Sequence, residues 1–132
     1  MVAVGAKLDK SSLNDVEQTE DRIVSQWREV SADEKHQMRE QFDKILRPLG
    51  FETSLLVIRR ANSIALFFLC MTLSAIMRLR HQWFNGQLRD IVQSLFSFLA
   101  TRQVRVKRLT WPLTDYGRCV EFFRSLESKQ TN

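Results

Sequence analysis

SLLVIRRANSIALFFLCMTLSAIM, Ser54 to Met77, is the most apolar stretch of the chain, and its reading decides the fold. Leu55–Ile58 is a dense apolar run with β-branched residues, and Ile64–Met71 is a second apolar run. Arg59-Arg60-Ala61 and then Asn62-Ser63 separate them. Asn62-Ser63 suits a tight turn because Asn tolerates positive φ. The pattern predicts a β-hairpin. Strands apolar at nearly every position belong at a central place in a sheet, covered on at least one face. The competing reading is a membrane span. Ala61–Met77 gives 17 residues without charge, at the short edge of the roughly 17 to 25 that span a bilayer as a helix. Asn62, Ser63, Thr72 and Ser74 dilute it. Arginines stand on both sides, so flanking charge gives no orientation. The amphipathic segments elsewhere also need an apolar partner, and a hairpin supplies one.

Upstream, residues 13–30 read as a helix in which Val16, Ile23, Val24, Trp27 and Val30 recur near helical spacing. Ser31-Ala32-Asp33-Glu34 matches a capping box, in which Ser31 accepts from the Glu34 backbone and Glu34 reaches back. It predicts a second helix with the stripe Met38, Phe42, Ile45, Leu46, ended by Pro48 and Gly50. Downstream, Ser74–Gln82 and Phe84–Arg102 read as helices. The second has the clearest stripe in the chain, Leu88, Ile91, Val92, Leu95, Phe98 and Leu99, with a kink or break at Asn85-Gly86. Gln103–Trp111 alternates basic and apolar residues, as a half-buried strand does. Val104 and Val106 share one parity and Leu109 and Trp111 the other, which predicts a bulge near Arg108. Thr114 is the expected cap of a last helix that carries Tyr116, Val120, Phe123 and Leu126 inward.

The order α, α, β, β, α, α, β, α implies an α+β two-layer sandwich, with helices packed on a small, mainly antiparallel sheet. Residues 1–12 are expected to be a loose terminus, or a short strand through the alternation of Val2, Val4, Ala6 and Leu8. Residues 13–127 form the single domain, and residues 128–132 a loose tail.

The 132 residues carry a net charge of +5, unevenly spread. Residues 1–53 hold 8 basic and 11 acidic side chains, whereas residues 54–132 hold 12 and 4. A split of this sign points to an acidic face, a basic face, or both, and hence to self-association, nucleic acid or anionic lipid as possible partners. Cys70 and Cys119 are the only cysteines. With no secretory signal pattern, they read as two buried free thiols of a reducing, cytoplasmic compartment, although one disulfide stays open.

Catalysis needs paired or activated groups. His36 sits among charged residues. His81 lies beside Arg78 and Arg80 with no carboxylate to orient it. A Cys70–His81 pair would place its thiol in the most apolar run, where thiols are inert. Two distant Cys and two distant His lack zinc-site spacing, and no glycine-rich phosphate loop is present. The expectation is no enzyme, no cofactor and no metal. The one site-like cluster is basic: Arg102, Arg105, Lys107 and Arg108 around the last strand, with Trp111 at its end. Arginine interleaved with an aromatic suits a phosphate and a stacked base, but also the protection of an exposed sheet edge. Arg105, Lys107 and Trp111 are the first partner-binding candidates; Arg78, Arg80 and Trp83 are the second set.

SLLVIRRANSIALFFLCMT, followed by RLRHQWFNGQLRDIVQSLFSFLATRQVRVKRLTW, resembles the N-terminal domain of the tumour-necrosis-factor-receptor-associated death-domain adaptor and domains related to it. The shared pattern is a helix ending in QFDKILRPLG, a hairpin, an amphipathic helix opened at Gly86-Gln87-Leu88-Arg89, a strand and a final helix, across residues 33–126. The resemblance implies a sandwich of ferredoxin-like character that recruits signalling proteins and catalyses nothing. Two departures are that no death domain follows the module in these 132 residues and that the first strand is poorly evident. The functional expectation is a protein–protein interaction module, an intracellular signalling adaptor or scaffold component that docks partners through its sheet and basic rim. An RNA-binding module is the first alternative and a small membrane protein the second.

Overall fold

The computed structural model describes residues 1–9, 15–32 and 36–130. Strand β1 (Val2–Leu8) is followed by helices α1 (Val16–Ser31) and α2 (His36–Leu46) and a 3-10 turn at Arg47–Leu49. The hairpin β2 (Thr53–Arg60) and β3 (Ile64–Cys70), helices α3 (Leu73–Phe84) and α4 (Gln87–Ala100), strand β4 (Val106–Thr110) and helix α5 (Leu113–Gln130) complete the order. The sheet is four-stranded, antiparallel throughout, in the order β2-β3-β1-β4. That is the ferredoxin-like βαββαβ arrangement, with each crossover doubled into two helices and α5 appended. The α+β sandwich expected from the sequence is the fold.

The deciding stretch forms the hairpin, turned at Ala61-Asn62-Ser63. The span over residues 61–77 does not form, because this segment is β3 and the first turns of α3. Among the described residues no helix is long and apolar enough to cross a membrane. The hairpin is not wholly central, however. β3 is an inner strand, but β2 is an edge, with Leu56 and Val57 exposed. The cause is β1, which inserts between β3 and β4 rather than standing loose at the terminus. Its even-numbered residues Val2, Val4, Ala6 and Leu8 are buried, as are Ile64, Leu66, Phe68 and Cys70 of β3. Together they make one apolar face, each large side chain contributing roughly 1.5–3 kcal/mol by leaving water. That face is roofed by Ile23, Val24 and Trp27 of α1, Phe42 of α2, and Leu88, Val92, Leu95 and Leu99 of α4. Trp27 and Phe42 meet at 5.2 Å between ring centroids.

The helix ends show which local signals hold. Asp15 caps α1, its Oδ1 accepting from the Gln18 amide at 3.1 Å. Thr72 caps α3 by accepting from the Ala75 amide at 3.1 Å. Ser31 is no N-cap. It is the last residue of α1, and its hydroxyl donates back to the Arg28 carbonyl, while Asp33 and Glu34 lie outside the described residues. Likewise Thr114 falls inside the first turn of α5, because the Pro112 carbonyl already accepts from the Asp115 and Tyr116 amides. The helix therefore starts at Leu113, two residues before the Asp115 that a Thr114 cap would make its first. Tyr116, Val120 and Phe123 pack against the core, but Leu126 is exposed where α5 outruns the surface beneath it. That helix continues to Gln130, into the segment expected to be a loose tail. Between α3 and α4 the chain breaks at Gly86, whose φ of +89° is a left-handed conformation that glycine adopts without strain.

Both cysteines are free. Cys70 is buried and Cys119 is half-buried rather than buried, because it lies on α5 near the rim. Burial pushes the Cys70 thiol up from its ordinary value, only partly offset by the Thr53 hydroxyl, which donates to Sγ at 3.7 Å. A raised thiol carries less reactive thiolate at any pH below its titration. At pH 8, iodoacetamide should therefore alkylate Cys119 well before Cys70, with Cys70 labelled only after denaturation. Site-resolved mass spectrometry at equal reaction times reads this out, and equal rates at the two cysteines would contradict it.

Candidate functional site

The six candidate residues do not form one surface. Three of them, Arg80, Trp83 and Trp111, assemble into a stack that joins α3, the end of β4 and α5. Arg80 Nη1 donates to the Trp111 carbonyl at 2.8 Å. Its guanidinium lies 4.3 Å from the Trp83 ring, 5.1 Å from Trp111 and 5.0 Å from Tyr116. A guanidinium is flat and weakly hydrated, so aromatic faces on several sides hold it well. Trp111 is only 2% exposed, which corrects the expectation that it meets a partner. The parity change on the last strand turns its indole inward as a core residue. Arg80 is taken up in the same way and serves the fold. Arg78 points elsewhere: its Nη2 and the Gln82 Nε2 both donate to the Pro48 carbonyl, at 3.1 and 2.9 Å, and so fasten α3 to the 3-10 turn.

The parity change has the expected cause. On β1, Lys7 pairs with Arg108 and Leu8 with Val106, so Lys107 has no partner and bulges out. Val104, Val106 and Trp111 stay buried across it, while Arg105, Lys107 and Arg108 are exposed. The bulge thus separates the apolar side chains that anchor β4 from the cations it displays.

Those cations have company that the sequence reading did not single out. Lys107 and Arg108 share an open groove of about 440 Å³ with Arg89, from the first turn of α4, and with Trp83 and Phe84 at the end of α3. Phe84, the last residue of α3, is 82% exposed. The break at Asn85-Gly86 brings Arg89 round to face β4. The signal for it was present as Trp83-Phe84-Asn85-Gly86 ahead of Arg89, but only the pairing of α3, α4 and β4 places them together. Arg108 also adjoins Lys7 across the outer face of the sheet, where Arg59 lies 4.5 Å over the Phe67 ring. The groove holds cations and aromatic faces but no carboxylate, imidazole or thiol, so it can bind anions and flat groups. His81 is exposed on α3 while Cys70 is buried in β3, so no activated pair forms between them. Among the described residues no group of three or more His, Cys, Asp or Glu is arranged to hold a metal ion.

No family model, no curated protein and no solved structure matched the chain in comparison.

Proposed function

We propose that the chain is a non-enzymatic protein–protein interaction module, of the adaptor or scaffold kind, that works in a reducing intracellular compartment. It docks an acidic segment of a partner on the basic groove beside β4. The observation that carries this reading is the meeting of Arg89, Lys107 and Arg108 with the exposed Phe84 in one groove. Arginine and aromatic side chains are the groups that most often anchor protein interfaces. The resemblance to adaptor domains points the same way. Phe84 would be the apolar anchor, and the cations would set orientation and association rate.

Double charge reversal within the groove, Lys107→Glu with Arg108→Glu, tests it. Both residues are exposed, so the fold should survive. Partners captured from lysate by the wild-type chain should bind the reversed chain at least about tenfold more weakly. If every partner stays bound, the reading is lost. RNA binding is the second reading, favoured by the same mix of cations and aromatic rings. It requires affinity for single-stranded RNA that falls by at least about tenfold between 50 and 200 mM salt. No binding at low salt removes it. Self-association of the acidic and basic portions would show in sedimentation as a mass that drops with added salt.

A further inference from the structure

We propose that the edge of β2, together with the groove between β2 and α2, takes an extended segment of a partner protein as a fifth strand. This surface lies apart from the basic groove and does not depend on it. The two edges of the sheet are treated differently by the fold. On β4, side chains already occupy outward backbone groups. Gln93 Oε1 accepts from the Val106 amide at 3.0 Å, Trp83 Nε1 donates to the Leu109 carbonyl at 3.3 Å, and Arg80 caps Trp111 just beyond. On β2, the longest strand of the sheet, nothing among the described residues does so. Every second residue of an edge strand turns its N–H and C=O outward, ready to pair with another chain.

The groove says what such a chain carries. It encloses about 360 Å³ beside Thr53–Leu55, lined by Phe42, Leu46, Leu49 and Leu55, with Arg39, Asp43 and Arg47 on its walls. A strand laid against β2 directs alternate side chains toward the helix layer, and so into this groove. An apolar residue fits there. Arg39 is paired with Asp43 at 3.5 Å, but Arg47 and, further along the edge, Arg59 have no carboxylate partner among the described residues. The occupant is therefore an extended segment with an apolar residue at its centre and acidic residues beside it. A second copy of this chain fits less well. Leu56 is a bulge with no partner on β3, and pairing β2 with its own copy about a two-fold axis would bring two bulges face to face at the centre. Arg60, held by Glu20 at 2.9 Å and by Asp21 at 3.6 Å, fixes the far end of the edge.

The test uses the full chain and a displayed library of about ten-residue random peptides, the length needed to span the edge. Selected peptides should alternate apolar residues around a central Leu, Ile, Val or Phe and be enriched in Asp and Glu beside it. Bound to the isotope-labelled chain, the best of them should slow amide exchange across Thr53–Arg60. N-methylation at its alternate amides should weaken it by at least about tenfold, since the backbone pairs are lost while the side chains remain. Arg47→Glu should weaken it about fivefold or more. Exchange slowed on β4 instead, an N-methylated peptide that binds equally well, or a library with no enrichment overturns the proposal. A wild-type chain that sediments as a dimer, and dissociates on Leu56→Lys, would give the edge to a second copy and overturn it too.

Discussion

Deleting residues 1–9 should abolish folding. The segment carries few features that would mark it as essential, and a terminus is ordinarily where truncation is tolerated. Here it is the inner strand that joins β3 to β4. Without it, Val2, Val4 and Leu8 no longer bury side chains worth roughly 1.5–3 kcal/mol each. The sum is comparable to the whole stability of a domain this size, about 5–15 kcal/mol. The loss would not end there, because β3 and β4 would each be left with an unpaired inner edge. The truncated chain should show no cooperative thermal transition by circular dichroism and collapsed amide dispersion by NMR. Val4→Asp, in the intact chain, should do nearly the same by burying a charge without a partner. A truncated chain that still melts cooperatively would show that β1 is dispensable.

The second large effect is expected at Arg80. Arg80→Ala should destabilise the fold by about 2–3 kcal/mol, from lost contact with aromatic faces and a lost charged hydrogen bond to the Trp111 carbonyl. Arg80→Lys should recover less than half of this, since an ammonium keeps the charge but not the flat fork that stacks between rings. Urea unfolding of the three proteins measures it. Binding to partners captured through the basic groove should change only as far as stability does. If Arg80→Ala left stability within about 0.5 kcal/mol of wild type while binding vanished, Arg80 would return to the docking surface.

How much of this was legible in the sequence depended on whether the signal was local. The hairpin, the break at Gly86 and most of the α4 stripe were written in periodicity and turn residues and formed where expected, although Phe96 is buried and Phe98 only half-buried. The bulge on β4 was legible too, because a switch of parity between Val106 and Leu109 has few other causes. β1 was harder. Its alternation of Val2, Val4, Ala6 and Leu8 is real but short, and contains two alanines and a glycine. Only its two neighbours, both distant in sequence, make it a strand. The same holds for the site. Lys107 and Trp83 could be singled out by type, but which arginines are free and which are consumed could not. Arg78, Arg80 and Arg89 look alike in sequence. Packing sends the first to the 3-10 turn, the second into an aromatic stack and the third to the groove. Ser31 and Thr114 failed as caps for a related reason: a neighbouring helix and a neighbouring proline had already claimed their places.

The position of β1 also governs when the fold can appear. In synthesis β1 precedes the other elements of this fold, so it waits for β3 through two helices and a strand, and for β4 through two helices more. Its pairings are among the most distant in the chain, and non-local pairing of this kind slows folding. For most of translation the apolar face of β1 has no permanent cover, while the β2–β3 hairpin, built from adjacent segments, can close early. The nascent chain thus holds two strands ready and one stranded, a state open to mispairing with other copies until β4 arrives. Completion of the sheet is a late event in this fold, tied to the emergence of β4.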